Sequence, residues 1–344
     1  MGIDVHLKSW SVSIFTEHTF HKTFSQPPQA EPLSNYLREH FPNATYYSAY
    51  EAGFSGYLIH HKLLSLGINN IVVNPADIPT SQKEQFQKTD QIDSRKIGRA
   101  LRAQQLIPIH VLNEQTLSDR SLIRTRSALV QDMVRFKLRI KSFLYFHGIG
   151  LPAEFESSHT HWSRRFLKWL KEDLQFTPDS ARTSLDIMIA NVEKQHNMLL
   201  DINREIRSLC ESERYKENVD LLRTIPGIGR LSAITLLTHL EDIGRFKNTD
   251  HLAAYVGLIP NTHSSGESER LGRITFRGVR ALKTILVEGA WSTMRVDPVL
   301  ALTYGRYVKR MPPNKAIIRI ARKLLNRVYY VLKNKRPYVC GVVQ

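Results

Sequence analysis

Two cysteines in 344 residues, Cys210 and Cys340, exclude a disulfide scaffold and a four-thiolate zinc ribbon. No apolar run reaches 18 residues, and the opening MGIDVHLKSW has no signal-peptide core, so no membrane partner is expected. With 42% hydrophobic, 23% charged and 9% aromatic residues, the chain has enough apolar surface to fold, which excludes a disordered or fibrous protein. These absences predict a soluble, cytoplasmic globular protein of two or three domains.

Acidic residues are missing where basic ones are dense. Lys and Arg number 48 against 32 Asp and Glu, a formal net charge of +16. Residues 1–100 are balanced, with nine of each sign, so the whole excess lies beyond them. The last 44 residues hold eleven Lys or Arg and not one acid. A polyanion is the natural partner of that half, because neutralising nucleic-acid phosphates releases condensed counterions.

Three parts can be distinguished. In residues 1–112, Ile3–Val5, Trp10–Phe15, Thr45–Tyr50 and Ile71–Val73 read as strands, and Tyr57–Leu66 and Asp90–Gln104 as helices. That order predicts an α/β domain with a mixed sheet. Residues 113–215 are helical. Leu117–Phe146 carries Arg124, Arg135 and Arg139 among its cations, with Asp132 its only acid after Asp119. Leu185, Met188, Val192, Gln195, Leu199, Ile202, Ile206 and Leu209 then step alternately by three and four, the a/d seam of a coiled coil, which either self-associates or packs within one chain. Residues 216–344 read as helical with two Gly-marked loops. In the first, Gly227 and Gly229 precede an apolar helix, Leu231–Leu240, as in helix-hairpin-helix phosphate contacts; Pro-Gly turns between core helices share that pattern.

Two constellations carry chemistry. Asp4 lies in the first strand, Glu51 at the end of a later one, and Asp90 and Asp93 are at i and i+3 on one helix face. Hard oxygen donors in that number suit a pair of divalent cations, Mg²⁺ foremost. The Thr89-Asp90-Gln91-Ile92-Asp93 run is also a capped helix start, but strand acid, strand-end acid and paired helix acids together follow the layout of ribonuclease-H-like nucleases. The second constellation is a Ser-Gly loop at Ser264-Ser265-Gly266, with Arg270, Arg273, Arg277 and Arg280 downstream. A hydroxyl becomes a nucleophile on phosphorus when a neighbour takes its proton and donors neutralise the phosphate, a task suited to the arginine fork.

Several stretches, in this order, resemble the DEDD-type insertion-sequence transposases, the family numbered one hundred and ten, which includes the Piv-type DNA invertases. They are Gly2-Ile3-Asp4-Val5, Tyr50-Glu51-Ala52-Gly53, Lys88–Lys96, Ile225–Gly229, Leu252–Pro260 with Ser264–Gly266, Ile274–Gly278, and Ala321-Arg322-Lys323-Leu324-Leu325. The likeness covers essentially the whole chain, with Phe276 standing where relatives carry a basic residue. It implies a RuvC-like N-terminal domain whose Asp4, Glu51, Asp90 and Asp93 bind Mg²⁺. It further implies a C-terminal domain in which Ser265 attacks a DNA phosphodiester to form a phosphoserine intermediate. Such proteins are guided by a structured non-coding RNA that pairs with donor and target DNA. They assemble as dimers and tetramers, with the acids of one protomer facing the serine of another. Arg273, Arg277 and Arg280, with the basic helix and the Arg322-Lys323 tail, are then expected to hold nucleic acid. A metal-dependent junction resolvase with no covalent step is the alternative enzyme, and a binding scaffold with an inactive nuclease fold the alternative of another class.

Overall fold

The computed structural model describes all residues except 83, 85–88, 175, 177–178, 266–267 and 342–344; for 262–265, 268–271 and 273 it describes the backbone alone. The chain divides into two compact units, Met1–Asn113 and Glu114–Gln344.

The first unit is built on five strands, β1 (Gly2–Val5), β2 (Trp10–Phe15), β3 (Phe20–Gln26), β4 (Tyr46–Glu51) and β5 (Ile68–Val73), in the order β3-β2-β1-β4-β5. β1–β2 and β2–β3 pair antiparallel, β1–β4 and β4–β5 parallel, so β1 is the centre of a mixed sheet. Period-two alternation sends Ile3, Val12, Ile14 and Tyr50 to one face, where α1 (Ala30–His40) and α2 (Leu58–Ser65) cover them with Leu33, Leu37 and Leu63. The other face meets α3 (Asp90–Arg102) through small residues. A Cβ on Gly2 would lie 2.0 Å from the Ser94 carbonyl oxygen and 2.2 Å from the Gly98 nitrogen, so α3 rests directly on the β1 backbone. Between them Ser94 Oγ bonds Ser11 Oγ at 3.0 Å and Ser13 Oγ at 2.9 Å, which satisfies buried hydroxyls. The close approach sets Asp4 against the start of α3.

β3 and α1 have no counterpart in the expected elements. β3 is largely exposed and its FHKTFSQ alternation is weak, and the N-cap of α1, Gln29, makes no side-chain capping bond.

In the second unit α4 (Glu114–Phe146) lies along α6 (Asp179–Glu211), with the short α5 (Arg164–Lys168) in the connection. The a/d seam is used here, within one chain. Leu199, Ile202 and Ile206 pack with Ile123 and Leu129, and Leu185, Ile189 and Val192 pack with Ile140 and Leu144. Beyond it come α7 (Lys216–Arg223), α8 (Arg230–Leu240), α9 (Thr249–Val256), α10 (Arg280–Thr293), α11 (Pro298–Val308) and α12 (Pro313–Asn334), whose buried Ile317, Ile320, Ala321, Leu324 and Val328 make it the spine of the largest core. This region is not wholly helical: β6 (Pro260–Ser265) and β7 (Ser268–Ile274) pair antiparallel, so Ser264 and Ser265 of the expected Ser-Gly loop lie at the end of a strand, and Gly266 lies outside the described residues. Pro, Asn, His and Ser along β6 are weak strand formers, and the cross-strand ladder holds them extended. Among the described residues no helix is long and apolar enough to cross a membrane.

Candidate active site

Gly2 and Asp4 share the face of β1 that α3 covers, and Asp90 and Asp93 stand in the first turn of α3. Thr89 caps that turn, its Oγ1 accepting from the Ile92 N–H at 3.3 Å. The capping reading and the site reading therefore hold together. Glu51 ends β4, paired in register with Val73 and one residue beyond Tyr50, which lies opposite Ile3 of β1. All four predicted acids thus gather at one end of the central strands β1 and β4, bridged by His6 and Lys96. His6 Nε2 is 3.2 Å from Asp4 Oδ2 and 3.4 Å from Asp90 Oδ1. Lys96 Nζ is 2.9 Å from Asp93 Oδ1 and 3.8 Å from Glu51 Oε1, and its side chain is only 11% exposed.

Burial raises the Asp4 carboxyl above its ordinary range, His6 opposes the shift, and the negative charges of Asp90 and Asp93 add to it. Like charges crowded in a partly buried site favour a cation among them. Ligand atoms of Asp4, His6 and Asp90 lie within 4.8 Å of one another, close enough to share one ion. Carboxylate oxygens suit Mg²⁺ or Mn²⁺, and the imidazole nitrogen favours the softer of the two. The donor set therefore fits a divalent metal.

His6 and Lys96 were not among the expected site residues. Lys96 had a legible signal, since i+3 from Asp93 places it on the same helix side; His6 had only its place two residues after a strand acid.

The basic residues sit apart from this cluster in sequence. Arg124, Arg135 and Arg139 are exposed on α4, with Arg135 Nη1 3.1 Å from Asp132 Oδ1 and Arg139 over the Phe136 ring. Gly227 has φ +84°, and a Cβ there would strike the Gly289 carbonyl oxygen at 2.3 Å, so its missing side chain serves helix packing. Gly229 opens α8 with nothing within 4 Å of where its Cβ would be. The backbone of Ser265 ends β6 opposite Ser268, and that of Arg273 lies in β7; their side chains fall outside the described residues.

The hairpin base is firmly held. Thr275 N–H donates to the Ile259 carbonyl at 3.0 Å, and Lys283 Nζ donates to the carbonyls of Thr275 and Arg277, each at 3.1 Å. Gly257 and Gly278, at φ +85° and +99°, cross so closely that a Cβ on Gly278 would be 2.6 Å from Gly257 Cα. This contact is the physical reason for the two glycines flanking the hairpin. Phe276 is 91% exposed beside it, Arg277 is exposed, and Arg280 begins α10. Arg322 Nη2 is 2.6 Å from Asp250 Oδ1, and Lys323 is half-buried next to it.

A mixed sheet with acids in its central strand, at a neighbouring strand end and in a following helix, joined to a helical C-terminal part, is consistent with the RuvC-like DEDD class of strand-cutting domains. Comparison with known proteins narrows this. A DEDD transposase model matches residues 1–148, and a model described as transposase IS116/IS110/IS902 family matches residues 219–305. The transposase for insertion sequence element IS1533 of Leptospira borgpetersenii is 26% identical over 98% of this chain and 96% of its own. The protein y4qE of Sinorhizobium fredii is 31% identical over 73% of this chain, which spans 59% of that relative's length. A pilin gene-inverting protein of Moraxella lacunata is 36% identical over 43% of this chain and 47% of its own. The chain belongs to the IS110/IS116/IS902 family of insertion-sequence transposases, enzymes of DNA recombination.

Proposed function

We propose that this transposase is an RNA-guided DNA recombinase that cuts and rejoins strands through a phosphoserine at Ser265. The observation that supports the reading most is the meeting of Asp4, Glu51, Asp90 and Asp93 at one end of the central strands, in a chain that also carries the Ser-Gly motif. Residues 1–112 serve as the metal-binding domain, 113–215 as the helical connection, and 216–344 as the serine domain.

The four acids hold Mg²⁺, with His6 a further donor at Asp4 and Asp90. When bound, the metal supplies charge neutralisation at the scissile phosphate. The Ser265 oxygen forms a bond to phosphorus as the bond to the departing nucleoside oxygen breaks; the serine proton is released and the departing oxygen gains one. Rejoining is the same exchange with the hydroxyl of another strand, so no outside energy source is required. The rigid glycine crossing at residues 257 and 278 orients the hairpin. Arg273, Arg277 and Arg280, with Arg124, Arg135, Arg139, Arg322, Lys323 and the Gly227–Gly229 turn, hold DNA and guide RNA chiefly through phosphates. Sequence choice then comes from base pairing. Copies act as dimers or tetramers in the bacterial cytosol, the acids of one copy serving the serine of another.

The test incubates the protein with Mg²⁺, the RNA encoded beside its gene and end-labelled DNA from the element ends. Denaturing electrophoresis should show labelled DNA bound covalently to wild-type protein and none bound to Ser265→Ala. Cleavage that leaves a free 5′ phosphate with no adduct would overturn the serine step and favour hydrolysis at the acids. Mixing inactive Asp4→Ala with inactive Ser265→Ala should restore cutting if the two groups come from different copies.

A further inference from the structure

A cavity of about 720 Å³ lies between the base of the hairpin and one face of α12, all of it within the second unit. That volume falls in the range of small-ligand pockets, roughly 300–1,000 Å³. Its chemistry is divided. Leu258, Ile259, Ile274 and Ile318 give an apolar floor, and Tyr307 adds a ring with the Arg319 guanidinium 5.5 Å from its centroid. Lys315, Arg319, Arg322 and Lys323 follow one another at helical spacings of four, three and one along the rim, with Asn314 and Asn326 supplying carboxamides. Arg322 is committed to Asp250 and the Leu258 carbonyl, whereas Lys315, Arg319 and Lys323 form no ion pair among the described residues.

Apolar faces, a tyrosine, amide edges and a row of cations together match a nucleotide: a flat ring, a hydrogen-bonding edge and a phosphate. A paired base cannot supply the first of these, because its faces are covered by its neighbours in the stack. We infer that this cavity takes an unpaired base of the DNA strand being cut, turned out of its stack, with its phosphate on Lys315, Arg319 and Lys323. The strand, rather than the guide, is favoured by position. The cavity wall includes Pro260, the first residue of the strand that ends at Ser265, and five residues of strand span roughly 17 Å. This is the length of about five stacked nucleotides. The inference rests on the strand-cutting reading above, but its test does not pass through serine chemistry.

Ser265→Ala protein is irradiated with a 15-nucleotide single-stranded DNA carrying 5-iododeoxyuridine, and crosslinks are located by mass spectrometry. The same DNA as a duplex and an RNA of the same sequence are run alongside. Crosslinking at Tyr307 should be at least fivefold stronger with single-stranded DNA than with either. Lys315→Ala combined with Arg319→Ala, both rim changes, should lower single-strand affinity about tenfold and duplex affinity less than twofold by fluorescence anisotropy. No crosslink at Tyr307, or an equal one with duplex, overturns the pocket. A stronger crosslink with RNA overturns the assignment to the cut strand. A missing DNA–serine adduct in wild type, with the Tyr307 crosslink present, would fault the serine step and leave the pocket standing.

Discussion

Replacing Gly2 by Ala should disable the acid cluster without touching an acid. The new methyl carbon would lie 2.0 Å from the Ser94 carbonyl oxygen and 2.2 Å from the Gly98 nitrogen, both backbone atoms that no rotamer change can move. Ordinary contact begins near 3.4 Å, so α3 must recede from β1 by more than an ångström. Overpacking of this kind costs about 1–3 kcal/mol and more when backbone must shift; about 3 kcal/mol is expected. Asp90 and Asp93 ride on α3 and Asp4 on β1, so the same displacement opens the carboxylate set. The control is Gly305→Ala in α11, where nothing lies within 4 Å of the added carbon. There only helix propensity changes, and stability should rise by about 0.5–1 kcal/mol. Native-state hydrogen exchange reads both locally: opening free energies in β1 and α3 should fall in one variant, and those in α11 rise in the other. Calorimetric titration with Mn²⁺ should show at least tenfold weaker binding for Gly2→Ala. Unchanged exchange in β1 together with wild-type Mn²⁺ affinity would refute the reasoning.

Three further expectations follow from the structure. Lys96→Met removes an ammonium from Glu51 and Asp93 and should tighten Mn²⁺ binding about tenfold, since a fixed cation beside the site opposes a second one; weaker binding would mean that Lys96 organises the acids instead. His239, in α8, is pushed down to about 4 by burial, then by the charges of Arg120 and Arg124. Between about 6.5 and about 4 the unfolded chain takes a proton that the folded one refuses, so stability should fall as pH falls through that window, by about 3 kcal/mol in total. A urea-midpoint series compared with His239→Gln, in which that slope disappears, checks it. Asp297 is 0% exposed, caps α11 through the Leu300 N–H at 3.0 Å, accepts from Tyr338 at 2.6 Å and lies 3.2 Å from Arg327. Asp297→Ala should cost about 3–5 kcal/mol by leaving Arg327 unpaired, and Asp297→Ala with Arg327→Met should recover part of it; a loss under 1 kcal/mol in thermal melts would contradict this.

The sequence by itself determined the elements whose periodicity is strong and whose ends are marked. The long α4 and α6, the β1–β2 pair and the capped start of α3 were all legible, because backbone geometry imposes periods of two and 3.6 wherever one face is buried. The ordered acids and the Ser-Gly motif were likewise legible as residue types at fixed places. Weak local signals were not: β3 and α1 lack sharp pattern and capping, and β6 and β7 read as a loop because their extended form depends on each other.

Only the tertiary structure decided who meets whom. The a/d seam of α6 could serve another copy or α4, and burial against Ile123, Leu129, Ile140 and Leu144 assigns it to α4. Gly227 packs against Gly289, a helix partner that the Pro-Gly pattern alone does not name. His6 and Lys96 join the acid cluster, and the base of the hairpin meets the cationic face of α12, through contacts between segments far apart in the chain. Local pattern fixes which face of an element is apolar, but the partner of that face is chosen by closure of the whole chain, and distances between charges exist only after that closure.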